Sequence, residues 1–252
     1  KGKGRSLSSK FSAHRSLLGQ VEATEGLDPG VLKAQSQALE ALGSTIFLDL
    51  NPRRMRDYVS KHASELGAEG ENLSSVLYAL TREEEQRQAL VDWLSSLCAP
   101  EVQGVDFVET ALGDVMLRLV EHGEKVSVRS LSDGTLRFLG LLAALLTAKK
   151  DSTLLVEEID NGLHPSRIHL LAEWLEVQTA KRRFQVIATT HSPLLLERLS
   201  RKTLANALLF ARVEDKPETL VRRLGDLPDF DRMLDKKGFE YLFTTRWLER
   251  AL

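Results

Sequence analysis

The sequence predicts an α/β fold: a parallel sheet with flanking helices, joined to a smaller helical and antiparallel lobe. Three observations carry the prediction. The apolar runs at 153–156 and 184–190 each lead into a helical stretch that opens on a proline, Pro165 and Pro193. A long apolar helix, residues 136–148, precedes the first of these runs. Strand and helix alternating at this spacing make a parallel sheet. Earlier, the stretches 105–109 and 115–120 alternate or run apolar and follow one another closely. They read as an antiparallel pair in a lobe of their own.

The elements follow in order. The N-terminal 1–18 are polar and rich in Gly and Ser, and read as flexible or as a returning loop. They lack a methionine start and any apolar stretch behind the basic residues, which points to a fragment and away from a secretory signal. Asp28-Pro29 starts a helix to about residue 42, ended by Gly43, and 45–50 form a strand. Asn51-Pro52 turns into a short helix with Arg53, Arg54 and Arg56, a solvated face or a phosphate or partner contact. Asn72 caps a helix over 73–80. Thr81-Arg82-Glu83-Glu84 reads as a capping box opening the next helix to about 97, with Val91, Leu94 and Leu97 on one face. Trp93 and Cys98 read as packing residues. Near the end, 207–213 and 218–224 form a hairpin around Glu214-Asp215-Lys216-Pro217, followed by short helices. The domain division expected is a linker and helical lobe over 1–125 and a catalytic lobe over 126–252.

Composition narrows the function classes. The chain has 252 residues, 42% hydrophobic and 28% charged, ordinary for a globular protein with a real core. A net charge of −2 offers no global basic field for nucleic acid. A single cysteine builds no disulfide framework and suits a reducing cytoplasm. No apolar run approaches the ~18 residues that a membrane span needs.

Chemistry concentrates at three places. Glu157 and Glu158 follow directly on the apolar run Thr153-Leu154-Leu155-Val156. Ligands of open α/β sheets sit outside such strand ends. Neighbouring strand residues face opposite ways, so one carboxylate can reach a cation while the other addresses a water. The bland reading is a pair of solvated acids. Ser132, Asp133 and Gly134, in Leu131-Ser132-Asp133-Gly134-Thr135, stand at the start of the long helix, where backbone N–H groups suit an anion, or simply a capped terminus. His191 ends the second apolar run just before Ser192-Pro193, where an imidazole can sense a phosphate or bond to backbone. The three are spaced by roughly thirty residues, as in consecutive units of one sheet.

Taken together, these segments resemble ABC-type ATPases. LSDGT resembles their signature loop, LLVEEIDNGLHP their Walker B strand with the following D-loop, and IATTHSP their switch-histidine segment. The wording is most similar to AAA-type ATPases of the RecF, SMC and OLD-like branch, and less to membrane transporters. It is strong over 129–199 and looser at 16–18 and 49–80, which resemble a linker lobe. The resemblance implies a P-loop NTPase-like head using ATP and Mg²⁺. It implies that Glu157, at the usual aspartate position, helps hold Mg²⁺ through water, the longer side chain altering its reach. Glu158 would polarise the attacking water and His191 would contact the γ-phosphate. Ser132, Asp133 and Gly134 would close over nucleotide bound by a second subunit, and Asp160 to His164 would form the dimer-contact loop.

One part is missing: no G-x-x-x-x-G-K-S/T occurs, and Lys1-Gly2-Lys3-Gly4 lacks the strand and helix around it. The expectation is therefore the C-terminal part of an ATPase head, its phosphate loop supplied upstream or by another polypeptide. Such a head would work as a homodimer or higher homo-oligomer in DNA repair or antiviral defence, with a separate effector protein and no membrane. Glu157 and the missing loop leave open an alternative, a non-hydrolysing scaffold or sensor. Direct DNA binding through Arg53, Arg54, Arg56, Arg222 or Arg223 gains no support from the net charge.

Overall fold

The parallel sheet forms at the centre of the computed structural model, which describes residues 28–97, 102–182, 184–212 and 218–252. The N-terminal stretch 1–18, Cys98 and the hairpin turn at 214–217 lie outside the described residues. Helix α1 (Pro29–Gly43) is opened by Asp28, whose Oδ1 accepts the Gly30 N–H at 2.7 Å. It includes Gly43 rather than stopping before it. Strand β1 (Thr45–Leu48) ends two residues earlier than expected. Asp49 and Asn51 instead donate their N–H groups to Ala68 and Glu69, at 2.9 and 3.0 Å. A single 3₁₀ turn, Arg54–Arg56, and the short β2 (Val59–Ser60) follow.

Helix α2 (Leu73–Leu80) buries Leu73, Val76, Leu77 and Leu80. Helix α3 (Glu84–Leu97) packs through Leu90 and Leu94, with Val91 half-buried; the side chain of Leu97 lies outside the described residues. The capping box does not form. The Thr81 hydroxyl donates to the Tyr78 carbonyl at 3.0 Å, so Thr81 closes α2 instead of opening α3. Trp93 is a packing residue, 5.1 Å from Trp174 between ring centres. Strands β3 (Val102–Glu109), β4 (Asp114–Glu121) and β5 (Glu124–Ser127) form the antiparallel lobe, with β2 on the far side of β4.

The central unit runs through α4 (Asp133–Thr147), β6 (Thr153–Val156), α5 (Pro165–Arg182) and β7 (Gln185–Ala188). The sheet order is β1-β6-β7, all parallel. Thus β1 of the expected linker lobe belongs to the same sheet as β6. Leu48, Leu154 and Val156 point into one core with Leu136, Leu139 and Leu142 of α4. Burying such residues stabilises by ~1.5–3 kcal/mol each.

Among the described residues, nothing covers the opposite sheet face. Register aligns Phe47, Leu155 and Ile187 in one row, and Phe47 is 47% and Ile187 58% exposed. The expectation of a buried β7 is therefore corrected: no described element covers its outer side. Parallel sheets ordinarily carry helices on both faces.

Beyond α6 (Pro193–Arg198) and α7 (Arg201–Ala205), the hairpin β8 (Leu208–Arg212) and β9 (Thr219–Arg223) packs with α8 (Phe230–Lys237), α9 (Phe239–Thr244) and α10 (Trp247–Arg250). Their core of Leu204, Leu224, Phe230, Phe239, Leu242 and Leu248 is separate from the central one. Among the described residues no helix is long and apolar enough to cross a membrane.

Candidate functional site

The C-terminal tips of β6 and β7 are tied together by side-chain hydroxyls. Glu157 still belongs to the ladder, its N–H donating to the Leu48 carbonyl at 3.2 Å. Glu158 leaves it, with φ at 44°, in a left-handed conformation that non-glycine residues seldom adopt. Such backbone costs of order 1–3 kcal/mol and persists only where its surroundings enforce it. Here the enforcing contacts are visible. The Glu158 N–H donates to Thr189 Oγ1 at 3.0 Å, and its carbonyl accepts the Asn161 N–H at 2.8 Å. Asn161 Nδ2 also donates to Glu158 Oε2 at 2.7 Å, which fixes the carboxylate's direction. Both glutamates are exposed at the strand tip, whereas the next residue, Ile159, is buried.

The neighbouring strand tip supplies the matching half. Thr189 accepts from Glu158, and its carbonyl takes the Ile159 N–H at 3.1 Å. Thr190 Oγ1 donates to Asp160 Oδ1 at 2.6 Å and accepts the Ser192 N–H at 3.0 Å. Ser192 in turn caps α6 by accepting the Leu195 N–H at 3.3 Å, with Pro193 in the first turn. His191 is exposed between these two anchored residues, at the same end of the sheet as Glu158.

The third segment arrives from α4. Ser132 caps that helix, accepting the Thr135 N–H at 3.1 Å, and its hydroxyl lies 2.8 Å from the Thr135 hydroxyl. Gly134 abuts Gly162, the positive-φ glycine of the turn that follows β6. Ser132 and Asp133 remain exposed. Between α4 and the strand tip lies a small depression floored by Leu50, Phe138 and Val156 and rimmed by Arg137, Glu157 and Glu158.

The structure thus brings Glu157, Glu158, Asp160 and His191 to one sheet end, with Ser132, Asp133 and Gly134 beside them. His164 is exposed at the far end of the turn, its carbonyl accepting the Arg167 N–H at 2.8 Å. Sequence reasoning placed Asn161 only within the dimer-contact loop and gave no individual role to Thr189 or Thr190; the bond from Asn161 to Glu158 was not foreseen. The paired hydroxyls ahead of His191 are the signal that could have found the last two. The basic trio is partly spent within the chain: Arg54 pairs with Glu69 and Arg56 with Asp133, while Arg53 is exposed.

Among the described residues, no cluster of three or more His, Cys, Asp or Glu could hold a metal unaided. An exposed carboxylate at a strand tip does fit Mg²⁺, which takes one or two carboxylates and completes its shell with water and phosphate oxygens.

The sequence family described as "AAA domain, putative AbiEii toxin, Type IV TA system" matches residues 28–197. Comparison with curated proteins gives no match. Among solved structures, a chain from a study of ATP-driven dimerization and DNA-stimulated activation of SMC ATPases is similar at 12% identity and a TM-score of 0.43, over 64% of this chain and 95% of that one. The Smc head domain of Pyrococcus furiosus, with an extended coiled coil and bound to the C-terminal domain of ScpA, is similar at 14% identity and 0.40, over 67% of this chain and 44% of that one. The SMC head domain from Thermotoga maritima gives 14% and 0.37, over 60% and 51%. This chain therefore spans about half of those last two.

Proposed function

Since the chain belongs to the AAA domain family described with putative AbiEii toxins of type IV toxin–antitoxin systems, we propose that it is the C-terminal part of an ATPase head that hydrolyses ATP between two copies. The observation that carries this reading is the hydroxyl tie between the two strand tips, Glu158 N–H to Thr189 at 3.0 Å and Thr190 to Asp160 at 2.6 Å. It sets a carboxylate and an imidazole on one rim, the arrangement that positioning and charge stabilisation of a phosphoryl group require.

In this reading Glu157 helps hold Mg²⁺, which when bound offsets charge on the phosphates. Glu158 takes the proton of the attacking water as general base. Asn161, bonded to Oε2 at 2.7 Å, keeps that carboxylate aimed. His191 contacts the γ-phosphate. Ser132, Asp133 and Gly134 close over nucleotide held by the neighbouring copy, and Asp160 and His164 lie in the dimer-contact loop.

The phosphate loop comes from outside this sequence, on an upstream lobe or another polypeptide. The open row of Phe47, Leu155 and Ile187 supports a further layer on the sheet. Residues 1–125 then serve as linker and helical lobe and 126–252 as catalytic lobe, although β1 of the former completes the sheet of the latter. The family's description, with its putative AbiEii toxin, supports a defence role over DNA repair; in this reading the effector is a separate protein.

A second reading is a scaffold or sensor that does not hydrolyse. The glutamate at position 157, where the resembling ATPases carry aspartate, favours it. Glu158→Gln separates the two. In an ATPase it removes turnover and accumulates an ATP-dependent dimer; in a scaffold it changes neither.

A further inference from the structure

Arg56 holds the loop ahead of α4 from outside. It ends the 3₁₀ turn that follows β1. Its Nη1 lies 2.8 Å from the carbonyl oxygens of both Arg129 and Leu131, and 3.3 Å from that of Val128. Its Nη2 donates to Asp133 Oδ1 at 2.6 Å. Arg129 returns the contact, its Nε donating to the Arg56 carbonyl at 3.3 Å. The partners are separated from Arg56 by more than seventy residues of chain.

The chemistry of these contacts is specific to a guanidinium. A planar fork can serve backbone carbonyls with one nitrogen and a carboxylate with the other, whereas an ammonium is a single point charge. The Arg56 side chain is 24% exposed and that of Asp133 70%. The ion pair itself is thus weak, and the charge-assisted bonds to the carbonyls of the buried Val128 and Leu131 carry the grip. Ser132 and Asp133 are exposed, so little apolar packing holds them. Their other supports are local or lie on the α4 side: the helix cap of Ser132 on Thr135, the Leu136 N–H on the Ser132 carbonyl, and the backbone contact of Gly134 with Gly162.

We propose that Arg56 is a positioning residue for Ser132, Asp133 and Gly134. It fixes their loop in the shape that meets a neighbouring copy's nucleotide and couples that shape to the end of β1. This rests on the proposed reading of the loop as acting on a second copy.

The test uses the chain assembled with its phosphate-loop lobe, in a Glu158→Gln background with ATP. Sedimentation gives the subunit concentration at which half is dimeric. In parallel, ATP affinity is measured on monomer at low concentration, together with the thermal midpoint. Arg56→Lys should raise the half-dimer concentration about tenfold or more, the shift that ~1.4 kcal/mol of lost loop ordering gives in an association constant. ATP affinity of the monomer should stay within about twofold, since a loop acting in trans leaves binding in cis alone. Asp133→Asn should have a smaller effect, as the carbonyl contacts remain. Arg56→Lys dimerising like its parent would overturn the proposal, as would equal losses in monomer ATP affinity and dimerisation, the mark of a general structural staple. Should Arg56→Ala fail to fold, the Lys and Asn variants decide. A parent protein that binds no ATP brings down the trans reading itself, visibly and without any change at Arg56.

Discussion

Gly134 leaves no room for a side chain beside Gly162: a Cβ built on it would lie 2.0 Å from the Gly162 carbonyl oxygen and 3.0 Å from the carbonyl carbon. The start of α4 and the turn after β6 therefore meet backbone to backbone. Gly162 itself sits at φ 78°, in the left-handed region. This contact places the loop of Ser132 on the rim that carries Glu158.

Gly134→Ala should accordingly destabilise the protein by ~1–3 kcal/mol, the usual cost of forcing extra volume into a packed site. The obstruction is main chain, which cannot rotate away as a flexible side chain would. Thermal denaturation measures it. A melting curve unchanged by the methyl group would mean that the two segments are not in contact.

Thr190 is the hinge pin of the histidine segment. Thr190→Val removes the 2.6 Å bond to Asp160 and the acceptor for the Ser192 N–H. A polar group that loses its partner in a sheltered position costs ~1–3 kcal/mol. Thr190→Ser keeps the hydroxyl and should restore both stability and ATP turnover. Equal loss in the Val and Ser variants would assign the effect to the methyl group and sink the hydroxyl tie.

Acid stability should report on Glu176, which joins α5 to the start of α7. Partial burial disfavours its charged form, but the Ser200 N–H and the hydroxyls of Ser200 and Thr203 outweigh that and hold its pKa below the ordinary glutamate value. The Ser200 N–H lies 2.8 Å from Oε1. A depressed folded pKa gives stability that is fully present above the unfolded value of about 4.3 and is lost as pH falls through the folded one. Glu176→Gln should therefore flatten the stability profile below about pH 4.3. A profile parallel to the parent's across that range would contradict the assignment.

Much of the site was legible because its parts are local. Ser132 before Asp133-Gly134 and Ser192 before Pro193 cap their helices as their side chains dictate. The apolar run before Glu157 is a strand. Other features were hidden for physical reasons. The Thr81 hydroxyl stands between two helices and could bond to either; the carbonyl of Tyr78 took it. An apolar run such as that around Ile187 does not reveal whether both faces are covered, and here no described element covers one of them. The grip of Arg56 on Leu131 and Asp133 spans 75 and 77 positions, so nothing in the local pattern announces it. β2 is two residues long, too short to show a period.

The central claim is that each active site joins Glu158 of one copy to Ser132 of another. Mixing two variants tests it most directly, in the assembly that carries the phosphate loop. Glu158→Gln and Ser132→Arg should each be inactive alone. Combined in equal amounts they should recover about a quarter of wild-type ATP turnover, because half the symmetric dimers are mixed and each holds one intact site. A mixture as inactive as its components, with dimer exchange demonstrated, would contradict the shared site.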